Sequence, residues 1–232
     1  RVIVDVLWDK VLDSATTLEA TNTLYDGKNV LVSGTTVTMA GAHAFGRLAL
    51  TNGGKIACAA ATSAATTNGI WLTANAVAVS SNSSIDASGT SIKTNTLQSG
   101  NYGYAGGSHG GRGGFYGGWA SGPTYGSWTN PVDPGCAGTY APANGRGGGV
   151  IHLTAQTLAL DGAILANGAR LGGTGAGAGG SIRLDVGTLS GAGRIAANGG
   201  NGQSDYNSES GGGGGRIAIY YGATNGFDFG KA

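Results

Sequence analysis

The sequence predicts an all-β protein that folds as a parallel β-helix, also called a β-solenoid, with a long ordered glycine-rich insertion. Helix signals are nearly absent, alternating strand patterns recur in order along the chain, and blocks of glycine precede several of these strands. Short alternating strands are also compatible with an antiparallel β-sandwich, which is the alternative. We favour the solenoid, because successive strands of a sandwich have no reason to be copies of one another.

The composition limits the classes of partner. Of 232 residues, 40% are hydrophobic and only 11% are charged, with 13 Lys and Arg against 12 Asp and Glu. The sequence lacks the basic stripe that is typical of nucleic-acid binding. It also has no apolar run of about 18 residues that would insert into a membrane. So little surface charge favours self-association, because little repulsion keeps copies apart.

The clearest strand pattern is a repeat of the form G-x-I-x-L, a short gap, a second apolar pair and then I-x-A-x-G. Residues 69–89, 149–168 and 180–199 follow it, and residues 215–221 open a further copy. Alternation places each apolar pair on one face of a strand, so stacked copies would bury a shared apolar column. The matching positions are Ile70 with Leu72, Ile151 with Leu153, Ile182 with Leu184, Ile217 with Ile219, and then Ile85, Ile164 and Ile195.

The N-terminal part follows this pattern less clearly, with strands and glycine corners expected in residues 28–41 and 45–60. Residues 1–12, RVIVDVLWDKVL, are expected to form a terminal apolar strand ahead of a single solenoid domain at 13–232. A strand that is apolar on both faces needs cover on both sides. Its own solenoid could provide that cover, or the next copy could accept the strand at an open edge near its C-terminus. Such a head-to-tail contact propagates as a homopolymer. The assembly residues would be Val2, Ile3, Val4, Val6, Leu7 and Trp8.

Four segments combine glycine blocks with apolar strands or aromatic corners, namely residues 125–135, 147–168, 177–202 and 211–222. They resemble the glycine-rich right-handed β-helix-like repeat modules of large secreted or surface-exposed bacterial proteins. The resemblance extends over roughly residues 28–230. It implies an extracellular setting and a structural or adhesive role, and it brings no catalytic or metal-binding residue with it.

Residues 100–149 form an insertion that is rich in both glycine and aromatic side chains. Disordered linkers hold few aromatics, and two arginines, Arg112 and Arg146, are too few for a nucleic-acid-binding tail of the RGG type. We therefore expect ordered, extended glycine segments that pack side by side and bond across, an arrangement similar in composition to the glycine-rich adhesins of some phage tail tips. Aromatic rings would seal the edges of this layer or, facing solvent, would form a platform for sugars. The rings are Tyr102, Tyr104, Phe115, Tyr116, Trp119, Tyr125 and Trp128.

The two cysteines, Cys58 and Cys136, lie too far apart for a zinc knuckle. They are expected either to form one disulfide, which would pin the insertion to the solenoid wall, or to remain as buried thiols. Three histidines are scattered, and no metal or acid–base role is expected for them. Three aspartates in or beside the repeat strands are expected to accept hydrogen bonds from corner N–H groups. These residues are His43, His109, His152, Asp86, Asp161 and Asp185.

These observations predict a non-enzymatic extracellular structural protein without a cofactor. It would be a self-assembling fibre subunit or a rigid cell-surface module that polymerises by strand donation, with itself as the partner. The alternative is an adhesin whose glycine-rich aromatic insertion binds glycans or a host surface. Neither nucleic acid nor a membrane is expected as a partner, and no nucleophile–base pair, paired carboxylate or metal cluster recurs in the repeats.

Overall fold

The computed structural model shows an all-β chain with almost no helix, as the sequence predicts. Within the described residues the only helical element is a 3-10 turn at Phe229–Lys231. The structure describes residues 7–63, 69–94, 104–115, 120–139, 145–169, 175–202 and 210–231.

Thirteen strands form two sheets in the described residues. Sheet A consists of β1 (Lys10–Leu12), β3 (Asn29–Ser33), β5 (Gly41–Thr51), β7 (Gly69–Val79), β9 (Val150–Leu160), β11 (Ser181–Ser190) and β13 (Arg216–Asn225), in that order. Sheet B consists of β2 (Thr16–Leu18), β4 (Thr36–Met39), β6 (Lys55–Cys58), β8 (Ser84–Asp86), β10 (Ala163–Leu165) and β12 (Arg194–Ala196), also in chain order.

Consecutive strands alternate between the two sheets, and each strand pairs with the next one of its own sheet. Every pairing between named strands is parallel. Among the described residues, antiparallel contacts are limited to two isolated bridges, Ser91 with Gly147 and Ser190 with Gly226. The alternative of an antiparallel β-sandwich is therefore wrong.

The register of both sheets confirms the matching positions of the predicted repeat. In sheet A, Ile70 pairs with Ile151, which pairs with Ile182, and the same row ends at Ile217. A second row, two residues further along the same strands, consists of Leu72, Leu153, Leu184 and Ile219. In sheet B, Ile85, Ile164 and Ile195 pair in the same manner. The isoleucines of the repeat thus form continuous ladders across the strands, because each copy enters its sheet in the same register.

The long strands of sheet A bend while keeping one side buried. In β7 the buried positions are Ile70, Leu72 and Ala74, followed after a shift of phase by Val77 and Val79. A regular strand alternates with a period of two, so a spacing of three between buried residues means that the backbone turns a corner there. Strand β9 has the same burial pattern. Both halves of each long strand therefore contribute to one core together with sheet B.

The two ends of the sheets differ. At the C-terminal end, Phe227 is buried in the core cluster and meets Phe229 edge to face, with ring centroids 5.1 Å apart. At the other end, the first strand of sheet A pairs in parallel with Val30–Val32. Residues 10–12 of the predicted terminal strand are thus paired within the same chain.

Candidate binding surfaces

Glycine-rich segments pack into a layer where the chain returns from sheet B to sheet A. This glycine layer contains the described part of the insertion and the connections that precede β11 and β13. Its backbone groups bond from segment to segment, for example from Gly107 N to Ala176 O at 2.9 Å and from Gly114 N to Gly211 O at 2.8 Å. The predicted side-by-side packing is therefore present in residues 104–115, 134–138, 145–149, 166–169, 175–180, 197–200 and 210–215.

The segment 175–180 lies at the centre of this layer, and its N–H groups point outward with a period of three. Ala176 and Gly179 donate to the segment 210–215, at 2.9 Å to Ser210 O and 2.9 Å to Gly213 O. Gly177 and Gly180 donate to the segment 166–169, whereas Ala178 donates to Cys136 O. A period of three is that of the polyproline II conformation, which has three residues per turn and no internal hydrogen bonds.

The carbonyl groups of the same segment face three further segments. Ala176 O accepts from Gly107 N, Gly177 O from Gly200 N, and Ala178 O from Gly148 N. The central segment therefore bonds to six neighbours, three through its donors and three through its acceptors. Side chains larger than a methyl group would prevent such close packing of backbones.

The distances between segments show why glycine is needed. A Cβ atom on Gly177 would lie 2.0 Å from Arg146 O, and one on Gly138 would lie 1.7 Å from Gly175 O. Both neighbours are backbone atoms, which cannot turn aside as a flexible side chain can. The layer is thus a rigid, hydrogen-bonded body, although its composition resembles that of a flexible linker.

The aromatic rings of the insertion only partly seal this layer. Phe115 and Trp128 have 75% and 76% of their surface exposed, so of the two alternatives these rings face solvent and do not seal the layer. Phe115 follows Gly114, whose N–H and carbonyl group are both already hydrogen-bonded, so the layer does not need this ring as cover. Tyr104 and Tyr125 are half-buried. Tyr102, Tyr116 and Trp119 lie outside the described residues.

A buried polar cluster fixes the base of the glycine layer. The fully buried His109 places Nδ1 2.8 Å from Gly179 O, and its Nε2 has no hydrogen-bond partner within the described residues. The Tyr125 ring packs against the imidazole, with the two ring centroids 4.9 Å apart. Lys93 Nζ lies over the Tyr125 ring, 4.2 Å from its centroid. Burial holds the pKa of His109 below its usual 6.5, more strongly than the Gly179 carbonyl raises it, and the Arg216 charge also lowers it.

This cluster should make the protein less stable in acid. The pKa of His109 is lower in the folded protein than in the unfolded chain. The contribution of neutral His109 to the free energy of unfolding is therefore complete above about pH 6.5, and it is lost as the pH falls below that value. We expect the free energy of unfolding to drop by up to about 1.4 kcal/mol per pH unit in this range. His109→Asn keeps a donor for Gly179 O and should flatten the profile in urea titrations at several pH values. An unchanged profile would contradict this role.

Both cysteines are free and buried, so the alternative of two thiols is found and the disulfide between Cys58 and Cys136 is not formed. Cys58 lies at the end of β6, where burial raises the pKa of its thiol to about 11. Cys136 lies in the glycine layer 3.2 Å from the Tyr125 hydroxyl, and burial raises the pKa of its thiol as well. Each thiol therefore stays protonated near neutral pH.

Protonated, buried thiols should react slowly with disulfide reagents. We expect almost no release of chromophore when the native protein meets Ellman's reagent at about pH 8, a pH below the raised pKa of Cys58. After unfolding in denaturant without reductant, 2 thiols per chain should react. Two unreactive cysteines in the unfolded chain would show that the disulfide forms after all.

A network of charged side chains lies on the outer face of sheet A. The register places His152 of β9 beside Arg183 of β11. His152 Nε2 is 2.8 Å from Asp185 Oδ2, while Arg183 donates to both carboxylate oxygens at 2.7 and 3.0 Å. Arg183 also bonds to Asn130 and lies 5.3 Å from the Tyr220 ring centroid. The Arg183 hydrogen bonds hold the pKa of Asp185 below its usual value, against burial, and the His152 hydrogen bond adds to this lowering.

Asp185 therefore differs from the two other repeat aspartates. Asp86 accepts from Ser88 N at 2.8 Å and Asp161 from Ala192 N at 3.1 Å, as expected for corner residues. Asp86 also accepts from the side chain of Lys55 at 2.6 Å, whereas the hydrogen bonds of Asp185 described above come from side chains alone. The position of His152 beside Arg183 could have been predicted from the repeat alignment. Both residues follow matching isoleucines, so they must be neighbours in a parallel sheet.

The predicted assembly segment is described only from residue 7 onward. Leu7 is 83% exposed and Trp8 is half-buried. Val2, Ile3, Val4 and Val6 lie outside the described residues.

In the part of the chain that the structure describes, no group of three or more His, Cys, Asp or Glu side chains is placed to hold a metal ion. None of the helical elements in that part has the length and apolar character needed to cross a bilayer.

Comparison with known proteins gives no relative: no protein-family model matches the chain, and no curated protein or solved structure is detectably similar to it.

Proposed function

We propose that the chain is a β-solenoid that serves as a non-enzymatic structural module of the extracellular space or a cell surface. The strict alternation of strands between two parallel sheets supports the solenoid, because a chain that coils in one direction adds one strand to each wall per coil. The bends of β7 and β9 are consistent with corners of such a coil. The extracellular location rests on the resemblance of the repeats to modules of secreted and surface proteins.

We further propose that copies associate head to tail. The observation that carries this proposal is the open edge at each end of both sheets: in the described residues, no strand pairs with the outer side of β13, β12, β1 or β2. Unpaired backbone groups on such an edge accept a further strand. Because the two ends are different surfaces, the contact does not close on itself and continues as a filament. The apolar residues before β1 are the donor.

Two complementary variants test this association. The first lacks residues 1–8, so it loses the donor but keeps β1 (Lys10–Leu12). The second is Tyr221→Pro in the exposed half of β13. Arg216 N bonds toward β11, so the N–H of Tyr221, five residues further along the strand, points to the open edge. Proline removes that donor.

We expect the full chain to form filaments with rising concentration in sedimentation velocity and electron microscopy. Each variant alone should remain monomeric, and a mixture of the two should stop at a heterodimer, because it contains one intact donor and one intact acceptor edge. A full chain that stays monomeric at high concentration contradicts the proposal. Filaments formed by either variant alone would contradict it as well.

The exposed rings favour a second candidate function, glycan adhesion by the glycine layer. Phe115 and Trp128 present flat apolar faces on a rigid support, which keeps the entropic cost of binding low. Loss of glycan binding in the variants Phe115→Ala and Trp128→Ala, with unchanged folding, would support it. Binding that survives both substitutions would exclude these rings as the site.

A further inference from the structure

A cleft on the outer face of sheet A has the chemistry of a saccharide site, and it lies apart from the glycine layer. It has a volume of about 320 Å³, at the lower end of the range of small-ligand pockets, which is about 300–1,000 Å³. The cleft crosses β5, β7 and β9. Three strands span about 10 Å between the outer two, so the cleft suits a short, elongated ligand.

The floor of the cleft is low because two outward residues of β5 are alanines. Ala42 pairs with Trp71 and Ala44 with Thr73, and all four residues line the cleft. One wall is Asp26. Its carboxylate accepts a hydrogen bond from Ala44 N at 3.3 Å and lies 3.6 Å from Nδ1 of the buried His43. Small residues between an indole and a carboxylate thus leave a recess with defined walls.

The Trp71 ring is held against its strand. A Cβ on Gly69 would lie 2.6 Å from both Cη2 and Cζ3 of the indole, so the ring occupies the space above that glycine. Without a side chain at residue 69, the indole lies along the sheet and stays half-buried. A ring fixed in this way loses little conformational entropy when a ligand stacks on it.

The opposite wall is His152, which lies beside Trp71 in the register. The 2.8 Å contact of its Nε2 with Asp185, which Arg183 holds from the other side, fixes the orientation of the imidazole. In the neutral ring Nε2–H donates to this carboxylate, which leaves Nδ1 as an acceptor. Thr154, two residues along the same face, adds a hydroxyl to the lining.

We propose that this cleft binds a neutral saccharide. The electron-rich face of an indole attracts the weakly positive C–H groups on the apolar face of a sugar ring. Threonine hydroxyls, the Asp26 carboxylate and the imidazole supply donors and acceptors for sugar hydroxyl groups. None of the described lining residues is Lys or Arg, and the nearby Arg183 is engaged by Asp185. The lining therefore disfavours phosphate or uronate ligands.

The test is isothermal titration calorimetry with cellohexaose, maltohexaose, xylohexaose and chitohexaose as probes, and with choline as a cationic competitor for an aromatic site. At least one hexasaccharide should bind with a Kd in the micromolar to millimolar range. Trp71→Ala should weaken this binding by about tenfold or more, and Trp71→Phe, which keeps a smaller ring, should weaken it less. Phe229→Ala is the matched control, because it removes a partly exposed ring that does not line the cleft, and it should change the Kd by less than about twofold.

The outcomes separate this cleft from the other proposals. The assignment is wrong if none of the four probes binds at millimolar concentration, if Trp71→Ala binds normally, or if choline binds instead of the saccharides. Binding lost in Trp128→Ala but kept in Trp71→Ala would also overturn it and would support adhesion by the glycine layer. Filament formation is independent of all these results.

Discussion

Replacing Ile151 with alanine is expected to lower the free energy of unfolding by about 4 kcal/mol. Ile151 is fully buried in β9 and pairs with Ile70 on one side and Ile182 on the other. The two flanking strands hold these neighbours in place through backbone hydrogen bonds. The cavity left by the substitution therefore cannot collapse, and the loss should fall in the upper part of the range for such substitutions.

Urea denaturation followed by circular dichroism measures this loss. The matched control is Thr157→Ala, on the same strand but exposed, which should cost less than about 1 kcal/mol. A similarly small loss for Ile151→Ala would mean that the isoleucine ladder is not a continuous core. A large loss at both positions would point instead to a general weakness of β9.

The ladders could be predicted from the sequence because they depend on side chains that recur. Ile85, Ile164 and Ile195 occupy matching places in successive repeats, and in a parallel stack equivalent residues must become neighbours. The same reasoning, applied to polar residues, would have placed His152 beside Arg183. These features follow from a local pattern and one assumption about stacking.

The glycine layer could be predicted only in outline. That glycine segments pack side by side follows from their composition, but which segments touch does not, because glycine has no side chain to mark a face. The contacts of Gly177 with residues 146, 169 and 200 join parts of the chain that share no motif. For the same reason, the sequence could not show that Phe115 and Trp128 point to solvent.

The Trp71 cleft is a second feature that could be predicted from the sequence only in part. Its aromatic ring, its small floor residues and its imidazole come from three strands, and its carboxylate comes from the turn before β3. The register, once known, places Ala42, Trp71 and His152 in one row. The turn that brings Asp26 to the edge of β5 depends on local backbone bonds, such as Gly27 N to Ala44 O at 2.7 Å.

Replacing Gly177 with alanine is expected to lower the free energy of unfolding by about 3 kcal/mol, at the upper end of the usual range for overpacking. The new methyl carbon would start 2.0 Å from Arg146 O and 2.6 Å from Gly147 N. Both are backbone atoms of a hydrogen-bonded segment, so relief requires two segments to separate. Separation in turn breaks bonds such as Gly200 N to Gly177 O.

Gly214→Ala is the matched control, because it lies in the same layer and a Cβ there would meet no atom within 4 Å. This substitution should be neutral or slightly stabilising, since alanine reduces the entropy of the unfolded chain. Thermal and urea denaturation of the two variants measure the difference. If both are tolerated equally, the glycine segments are not packed backbone against backbone. A loss confined to Gly177→Ala would mean that glycine in this layer is required by contact, since alanine is accepted wherever space is available.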